Sequence, residues 1–323
     1  MLPNLYVIGG ITAAMADALT PCFTLCYDRD LADDAAWFER EGSSVHYILT
    51  NGHDGVPEKI LDALPAVKLI SNYGVGYDAI DVEDAAKRGI IVTHTPDVLN
   101  DEVATTALLL MISCFREFRQ NEAHARSGAW EVDGNAPLSR SADNRKIGIV
   151  GLGRIGQAIA DKLAPFGSEI LYHSRTAKNV SYRYYDNLID MATDSDALIV
   201  ITPGGPSTHK LINADVLEAL GPEGVLVNVS RGSVVDEQAL IHALEQNIIA
   251  SAGLDVFEGE PHIPEALRMM DNVVLLPHVG SATHETRAAM GQLVVDNLLQ
   301  HHKSGQVFTP VPETAHFADK IEY

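Results

Sequence analysis

Three short segments of the chain each carry one reactive polar residue directly after an apolar run. Arg231 lies in Asn-Val-Ser-Arg-Gly, Glu260 in Phe-Glu-Gly-Glu-Pro and His278 in Leu-Pro-His-Val-Gly-Ser. If the apolar runs are strands of one parallel sheet, these side chains meet at its carboxyl edge, where open α/β sheets bind ligands. Together with a dinucleotide site upstream, a guanidinium, a carboxylate and an imidazole at one such edge predict hydride transfer to a small 2-oxo acid.

The three side chains suit the three requirements of that reaction, which are a carboxylate anchor, an electrophile on the carbonyl and a proton donor. His278 is the natural donor because imidazole titrates near neutral pH, and Glu260 would favour its protonated form and fix the ring. Arg231 can hold the substrate carboxylate and polarise the carbonyl. Any one of these residues alone could equally form a core ion pair or cap a helix.

A glycine-rich turn upstream predicts a dinucleotide site. It follows the apolar run Lys-Ile-Gly-Ile-Val and precedes an amphipathic run. Its first glycine allows a tight turn, its second lets a pyrophosphate approach the backbone, and its third permits close helix–strand packing. The start of the following helix would face the negative charge. The turn comprises Gly151, Leu152, Gly153, Arg154, Ile155 and Gly156.

The end of the next predicted strand indicates which dinucleotide is bound. NAD sites carry an acidic residue about 20 residues after the glycine turn, whereas this strand ends in Ser174, Arg175 and Thr176. A carboxylate would repel a 2′-phosphate, but Arg175 can pair with it and the two hydroxyls can donate hydrogen bonds. We therefore predict NADPH as cofactor, with NADH possible and weaker. The alternative is a solvated Arg175 that stacks on adenine.

Short apolar runs alternate with amphipathic segments along nearly the whole chain, which predicts α/β structure with helix-covered parallel sheets. We expect two doubly wound parallel-sheet domains. A Rossmann dinucleotide-binding domain, 98–284, would be inserted in a discontinuous flavodoxin-like substrate-binding domain, 1–97 and 285–323. One long helix is expected at 98–125, and the last helix, about 283–302, should return to the first domain. The predicted strands are 4–9, 23–28, 46–50, 67–72 and 90–94, then 146–150, 169–173, 197–201, 224–229, 250–254 and 272–276.

Composition narrows the range of partners. The net charge of −21 argues against nucleic acid and anionic membranes, although not against a small anionic substrate. Three cysteines without paired spacing or a histidine cluster favour a reducing compartment and no metal site. The N-terminus does not read as a signal peptide, and no apolar run reaches the roughly 20 residues of a membrane span. A cytoplasmic location is therefore expected.

On these motifs the chain resembles the D-isomer-specific 2-hydroxyacid dehydrogenases over nearly its whole length. The glycine turn and the segments around Arg231, Glu260 and His278 match that family in order and approximate spacing. The resemblance implies that these three residues are catalytic. It favours Glu260 over Glu258, because the catalytic glutamate of the family directly precedes a proline.

The resemblance also implies contacts that residue chemistry alone does not indicate. The loop 71–78 would hold the substrate carboxylate through the backbone amides of Val75 and Gly76, although a simple glycine turn is the alternative. Asp255 would bond the nicotinamide carboxamide, or else cap a strand end. Further positions expected to line the dinucleotide are Pro203, Thr208, Val229 and Ser230.

Within the family, Thr-Pro-Asp-Val-Leu-Asn-Asp and Pro-Gly-Gly-Pro-Ser-Thr resemble the glyoxylate and hydroxypyruvate reductases. Thr105 departs from the acidic residue that relatives often carry. A homodimer is expected, with 120–145 as its arm and Trp130 either reaching the partner's site or simply packing.

Two alternative functions stay open. One is a reductase of a bulkier 2-oxo acid such as an aryl pyruvate, decided by the loop 51–53 and the arm. The other is a non-catalytic dinucleotide-sensing binding protein.

Overall fold

The structure, a computed structural model, describes residues 2–31 and 33–318. The chain divides into two units, Met1–Leu99 with Thr283–Tyr323, and Asn100–Ala282. The domain ends predicted after residues 97 and 284 lie close to these divisions. Residues 319–323 of the predicted first domain lie outside the described part.

The first unit contains one parallel sheet of five strands, which matches the predicted set. Its order is β2-β1-β3-β4-β5, so the chain reverses direction across the sheet between β1 and β3. This is the flavodoxin-like form of the doubly wound fold, as predicted. Three of its helices begin at side-chain caps, namely Thr12, Asp34 and Asp81, which accept backbone N–H groups of the first turn. The strands are β1 (Asn4–Val7), β2 (Thr24–Tyr27), β3 (Val45–Asn51), β4 (Leu69–Tyr73) and β5 (Ile91–Thr93), and the helices are α1 (Ala13–Leu19), α2 (Asp28–Leu31), α3 (Ala35–Glu41), α4 (Glu58–Ala63) and α5 (Val82–Lys87).

The last helix of the chain completes this unit, as expected. In chain order it is α14 (His284–Ser304), and it packs on α1 and β4. The segment after it runs back along β5, where Pro310 bridges Thr93. The buried Asn297 side chain joins helix and segment. It donates to the carbonyl of Leu293 at 2.8 Å and to the Thr309 hydroxyl at 2.9 Å, and it accepts from the amides of Phe308 at 2.9 Å and Thr309 at 3.2 Å.

The second unit contains a parallel sheet of seven strands. Its order, β12-β11-β10-β9-β6-β7-β8, is the Rossmann order with the reversal between β6 and β9. The central strands β6, β9, β10 and β11 are almost wholly buried, because helices cover both faces. The strands are β6 (Lys146–Val150), β7 (Glu169–His173), β8 (Arg183–Tyr185), β9 (Ala197–Val200), β10 (Val225–Asn228), β11 (Ser251–Leu254) and β12 (Val273–Leu275).

The prediction of six strands for this unit was wrong, because β8 was missed. This strand has only three residues and lies at the edge of the sheet, where Leu171 pairs with Arg183. Such a short segment has no usable hydrophobic period, and only its pairing with β7 defines it. The helices of the unit are α6 (Asn100–Phe115), α7 (Phe118–Arg126), α8 (Ala129–Asp133), α9 (Arg154–Leu163), α10 (Leu188–Thr193), α11 (Ala214–Leu220), α12 (Glu237–Glu245) and α13 (Glu265–Met269).

The prediction of one helix over 98–125 was also wrong. The helix breaks at Glu117, whose φ of 49° is left-handed. No glycine or proline marks this point, so residue types alone did not indicate it. The break follows from packing: α6 places Leu110 against Gly253 of the sheet, whereas α7 has no buried residue. The polar stretch after it contains the further short helix α8.

Two wider properties of the described residues bear on partners. Across 2–31 and 33–318 no helix combines the length and apolar character that crossing a membrane requires. In the same ranges, no three His, Cys, Asp or Glu side chains are grouped so that they could hold a metal ion. Cys22, Cys26 and Cys114 are free thiols, and burial raises the pKa of Cys114 to about 12.

Replacing Asn297 with Ala should lower the free energy of unfolding by about 2–3 kcal/mol, because two backbone amides and one carbonyl lose a buried partner. Urea denaturation followed by circular dichroism measures this loss. The control is Gln292→Ala on an exposed position of the same helix, expected to change stability by less than about 0.5 kcal/mol. Equal losses in both variants would show that the side chain does not join helix and segment.

Candidate active site

The site residues predicted in the second unit all follow strands of its parallel sheet and therefore lie at one edge. The glycine turn follows β6, and the Ser174–Thr176 segment follows β7. The remaining residues follow four further strands: Pro203 and Thr208 after β9, Val229, Ser230 and Arg231 after β10, Asp255 and Glu260 after β11, and His278 after β12.

His278 and Glu260 form a hydrogen-bonded pair at this edge. Nδ1 of His278 lies 2.7 Å from Oε2 of Glu260, and the other carboxylate oxygen accepts the amide of Phe257 at 2.9 Å. The imidazole is 43 % exposed and the glutamate 17 %, so the acid is covered while the ring stays accessible. With Nδ1 engaged, Nε2 is the nitrogen that can face a ligand. Glu258 is exposed, and its backbone amide donates to the carboxylate of Glu237 at 3.2 Å.

The turn that carries His278 is held by Asp255. This aspartate is only 2 % exposed, and its two carboxylate oxygens accept the amides of Val279 at 2.7 Å and Gly280 at 2.8 Å. Its own carbonyl accepts the amide of His278 at 2.8 Å. Together these bonds hold His278 at a φ of 54°, which is uncommon outside glycine. Burial raises the pKa of Asp255, against the lowering effect of the two amides.

Asp255 therefore caps the end of β11 and positions His278, which is the alternative role that the sequence analysis gave it. Its predicted contact with the nicotinamide carboxamide stays a prediction. The carboxylate has lone pairs to spare, because each oxygen accepts one amide.

Arg231 is held by a residue that sequence reasoning missed. The buried Asn228 ends β10, and its side-chain nitrogen donates to the carbonyl of Arg231 at 2.9 Å. Its oxygen accepts both the amide and the hydroxyl of Ser230, at 3.1 and 2.9 Å. A guanidinium nitrogen of Arg231 also donates to the Ser230 carbonyl at 2.8 Å. The available signal was a lone amide at the end of an apolar strand.

Gly232 sets the distance between the arginine loop and the glutamate loop. A Cβ at this position would lie 1.9 Å from the carbonyl carbon of Phe257 and 2.3 Å from the amide nitrogen of Glu258. Since both neighbours are backbone atoms, they cannot rotate away as a side chain would. The loops of Arg231 and Glu260 thus touch backbone to backbone.

The glycine turn after β6 fits a dinucleotide pyrophosphate. Gly151 has a φ of 104°, and a Cβ on Gly156 would lie 2.3 Å from the Gly151 carbonyl oxygen, so these glycines serve the turn and the packing. Beside Gly153 the space is open, and no side chain caps the first turn of α9. The positive end of a helix without a side-chain cap suits an anion. Leu152 is buried, Ile155 half-buried and Arg154 exposed.

The segment after β7 places Arg175 in solvent. Among the described residues, none forms a hydrogen bond or ion pair with its guanidinium. Thr176 is exposed, and Ser174 donates its hydroxyl to the Thr176 carbonyl at 2.7 Å. That hydroxyl closes the turn, so its predicted donation to a 2′-phosphate requires it to change partner.

The loop after β9 is closed by Thr208, whose hydroxyl donates to the Pro203 carbonyl at 2.7 Å. Val229 and Ser230, on the loop after β10, are buried at 7 % and 4 % exposure. Thr202 was not predicted, and its buried hydroxyl oxygen finds no partner in the described part of the chain. A polar atom left over at this edge is suited to a ligand.

The predicted carboxylate loop lies in the first unit. Val75 and Gly76 follow β4 and are half-buried, and the carbonyl of Val75 meets Nδ1 of His94 at 3.0 Å. Trp130, on α8 of the other unit, is 64 % exposed and its indole donates to Asn135 at 3.1 Å. Thr105 is exposed on α6, where its hydroxyl bonds the carbonyl of Asp101 at 2.9 Å.

The Rossmann strand order, the uncapped glycine-rich helix start and the acid–imidazole pair define a dinucleotide-dependent dehydrogenase. Residues 108–280 match the family model described as D-isomer specific 2-hydroxyacid dehydrogenase, NAD binding domain. The chain belongs to this family.

Relatives of known name extend over most of the chain. It is 42 % identical over 272 residues to hydroxyphenylpyruvate reductase of Plectranthus scutellarioides, covering 84 % of this chain and 87 % of that protein. Identity to 2-ketogluconate reductase of Gluconobacter oxydans is 41 % over 310 residues, 96 % and 98 % of the two chains. The structure of NADPH-dependent glyoxylate/hydroxypyruvate reductase of Sinorhizobium meliloti, in complex with NADP and malonate, superposes with a TM-score of 0.91. Its identity is 47 %, over 97 % and 98 % of the two chains.

Replacing Gly232 with Ala should lower kcat/KM of the dehydrogenase reaction about 100-fold or more, because displacement of Arg231 from Glu260 by about 1 Å is enough for such a loss. Steady-state assays of the purified variant measure it. The control is Gly259→Ala in the glutamate loop, where a Cβ would meet only the His262 carbonyl oxygen at 3.8 Å. If both variants retain wild-type rates, the backbone contact does not set the geometry.

Proposed function

We propose that this chain reduces glyoxylate or hydroxypyruvate to the D-2-hydroxy acid with NADPH. The observation that carries the proposal is the 2.7 Å contact between His278 and Glu260, beside the arginine loop at the carboxyl edge of a dinucleotide-type sheet. The name of the Sinorhizobium meliloti relative, 47 % identical, supports the choice of substrate and cofactor.

Bound NADPH would supply the hydride, and the chain supplies the remaining chemistry. Arg231 pairs with the substrate carboxylate and draws electron density toward the carbonyl oxygen as negative charge develops there. His278 donates the proton of Nε2 to that oxygen and becomes neutral, so carbonyl, hydride and proton balance to a hydroxyl. Glu260 holds the ring through Nδ1, which leaves Nε2 as the only nitrogen for the transfer.

Two positively polarised or charged groups of the chain are proposed to bind the phosphates of the cofactor. The open first turn of α9 receives the pyrophosphate, and Arg175 pairs with the 2′-phosphate. Asp255 is proposed to accept the carboxamide, and Pro203, Thr208, Val229 and Ser230 are proposed to line the dinucleotide. Binding of NADH is expected to be weaker, because it offers Arg175 no phosphate.

The amides of Val75 and Gly76 are proposed to hold the substrate carboxylate as well. Two relatives are named for the larger acids hydroxyphenylpyruvate and 2-ketogluconate, so the size of the substrate needs a direct test. A panel of glyoxylate, hydroxypyruvate, hydroxyphenylpyruvate and 2-ketogluconate, each with NADPH and NADH, tests the proposal. We expect the highest kcat/KM for one of the first two acids. Absence of turnover on all four would favour the dinucleotide-sensing protein.

We further propose a cytoplasmic homodimer. Its arm exposes apolar side chains that a monomer would leave in water, and the free thiols fit a reducing compartment. The exposed apolar side chains of the arm are Trp130, Val132 and Leu138. Light scattering on the purified protein tests the dimer.

Replacing Arg175 with Ala should raise the KM for NADPH on the order of 10- to 100-fold and leave that for NADH nearly unchanged, because only NADPH loses a charge-assisted contact. Steady-state kinetics with both cofactors measure the split. Lys178→Ala removes a cation of the same loop and serves as the control, expected to behave as wild type. Equal effects of Arg175→Ala on both cofactors would exclude the phosphate pairing.

Replacing His278 with Ala should lower kcat by about 10²- to 10⁴-fold, the usual contribution of a positioned acid. The dissociation constant of NADPH, measured by fluorescence titration, should change little. His262→Ala, an exposed histidine just after Pro261, is the control and should retain activity. Undiminished turnover in His278→Ala would mean that the proton comes from another group.

A further inference from the structure

The loop after β4 turns three successive carbonyl groups toward the interior of the first unit. The Asn72 side-chain nitrogen donates to the carbonyls of Gly74 at 3.0 Å and Gly76 at 2.9 Å. Between them, the carbonyl of Val75 lies 3.0 Å from Nδ1 of His94. The amide of Thr95 adds a second bond to Gly74 at 2.9 Å. A side chain of β4 and one directly after the neighbouring β5 thus hold consecutive peptide groups in one orientation.

That orientation determines where the amides of the loop point. A trans peptide group is planar, and its C=O and N–H point in opposite directions. The only cis peptide bond in the described residues is elsewhere, at Glu260–Pro261. Carbonyls that face inward at residues 74, 75 and 76 therefore turn outward the N–H groups of Val75, Gly76 and Tyr77. Within the described chain, these three amides donate to no acceptor.

Three adjacent outward N–H groups offer a row of donors that suits an anion with two oxygens. A carboxylate is such an anion, and charge-assisted bonds from backbone amides are among the stronger ones. The geometry of the loop thus supports carboxylate binding by the amides of Val75 and Gly76, which the family resemblance implies, and it adds the amide of Tyr77 as a third donor.

The side-chain amide of Asn72 can hold the loop carbonyls in one orientation only. Its side chain is 0 % exposed, and its oxygen is buried without a partner among the described atoms. Exchanging its oxygen and nitrogen would place an acceptor against two carbonyl oxygens, so the amide orientation is determined. Burying a side-chain amide whose oxygen has no hydrogen-bond partner costs free energy. A residue that only closed a glycine turn would not require this cost. On the other side of the loop, the carbonyl of Val75 can only accept, so Nδ1 of His94 carries the proton.

We propose that Asn72 and His94 are positioning residues that build a carboxylate-binding row from the amides of Val75, Gly76 and Tyr77. The inference rests on the proposed function for the identity of the anion, the carboxylate of a 2-oxo acid. Neither side chain touches the substrate. Each acts by orienting a peptide group whose opposite end does.

Replacing Asn72 with Ala tests the proposal, because it should weaken the binding of carboxylates without changing the binding of NADPH. We expect the KM for glyoxylate and the dissociation constant of oxalate, an unreactive dicarboxylate, to rise on the order of tenfold or more. The dissociation constant of NADPH should stay as in wild type. Ser71→Ala is the matched control, since Ser71 is the preceding buried residue of β4 and bonds Thr93 instead of the loop. It should leave both carboxylate constants unchanged.

A second pair of variants keeps the test decisive if Asn72→Ala does not fold. His94→Asn retains a donor nitrogen near the place of Nδ1, whereas His94→Phe removes it, and both lose the other ring nitrogen. Only His94→Phe should weaken oxalate binding, measured by calorimetry in the presence of NADPH. Equal binding in the two variants, or equal effects of Asn72→Ala and Ser71→Ala, would overturn the proposal.

Calorimetry with oxalate also separates this proposal from the proposed function. If the wild type binds oxalate and the binding depends on Asn72, but no 2-oxo acid is reduced, the positioning stands and the catalytic assignment fails. If glyoxylate is reduced with unchanged KM in Asn72→Ala, the catalytic assignment stands and the positioning fails.

Discussion

Buried polar side chains at the ends of strands hold the loops of the site in place. Asn72 of β4, Asn228 of β10 and Asp255 just after β11 are each at most 2 % exposed, and each bonds the backbone of the turn that follows it. A buried amide or carboxylate must find partners, and the nearest ones are the peptide groups of that turn. Any other loop conformation would leave these buried groups without hydrogen-bond partners, which costs free energy. The loops, and the reactive side chains that they carry, are therefore held in one conformation.

This arrangement explains how an acidic protein can bind anionic ligands. The net charge is −21, yet the groups that we propose bind anions are the first turn of α9, the Arg175 and Arg231 guanidinium groups, and a row of backbone amides. Local dipoles and single cations act over a few ångströms, whereas the overall charge is screened by salt beyond about 10 Å. The acidity of the chain and its choice of ligand are therefore separate properties.

Much of the architecture could be predicted because it depends on local patterns. The strands of both units, the return of α14 to the first unit and the two doubly wound sheets follow from apolar runs and their alternation with helices. The failures have one physical cause. Strand β8 exists only through its pairing with β7, and the break at Glu117 exists because α6 packs on the sheet while α7 does not. Neither effect leaves a mark within a short window of sequence.

The sequence by itself determined which chemical groups follow which strands, since residue type and strand order are local or sequential properties. It thus indicated Arg231, Glu260 and His278, the glycine turn and the absence of an acid beside Arg175. Only the tertiary structure decided the distances and orientations. It brought Nδ1 of His278 to Glu260, placed the Gly232 backbone against Phe257 and turned the carbonyls after Asn72 inward. These relations join residues that are distant in the chain or depend on peptide orientation, and packing alone specifies them.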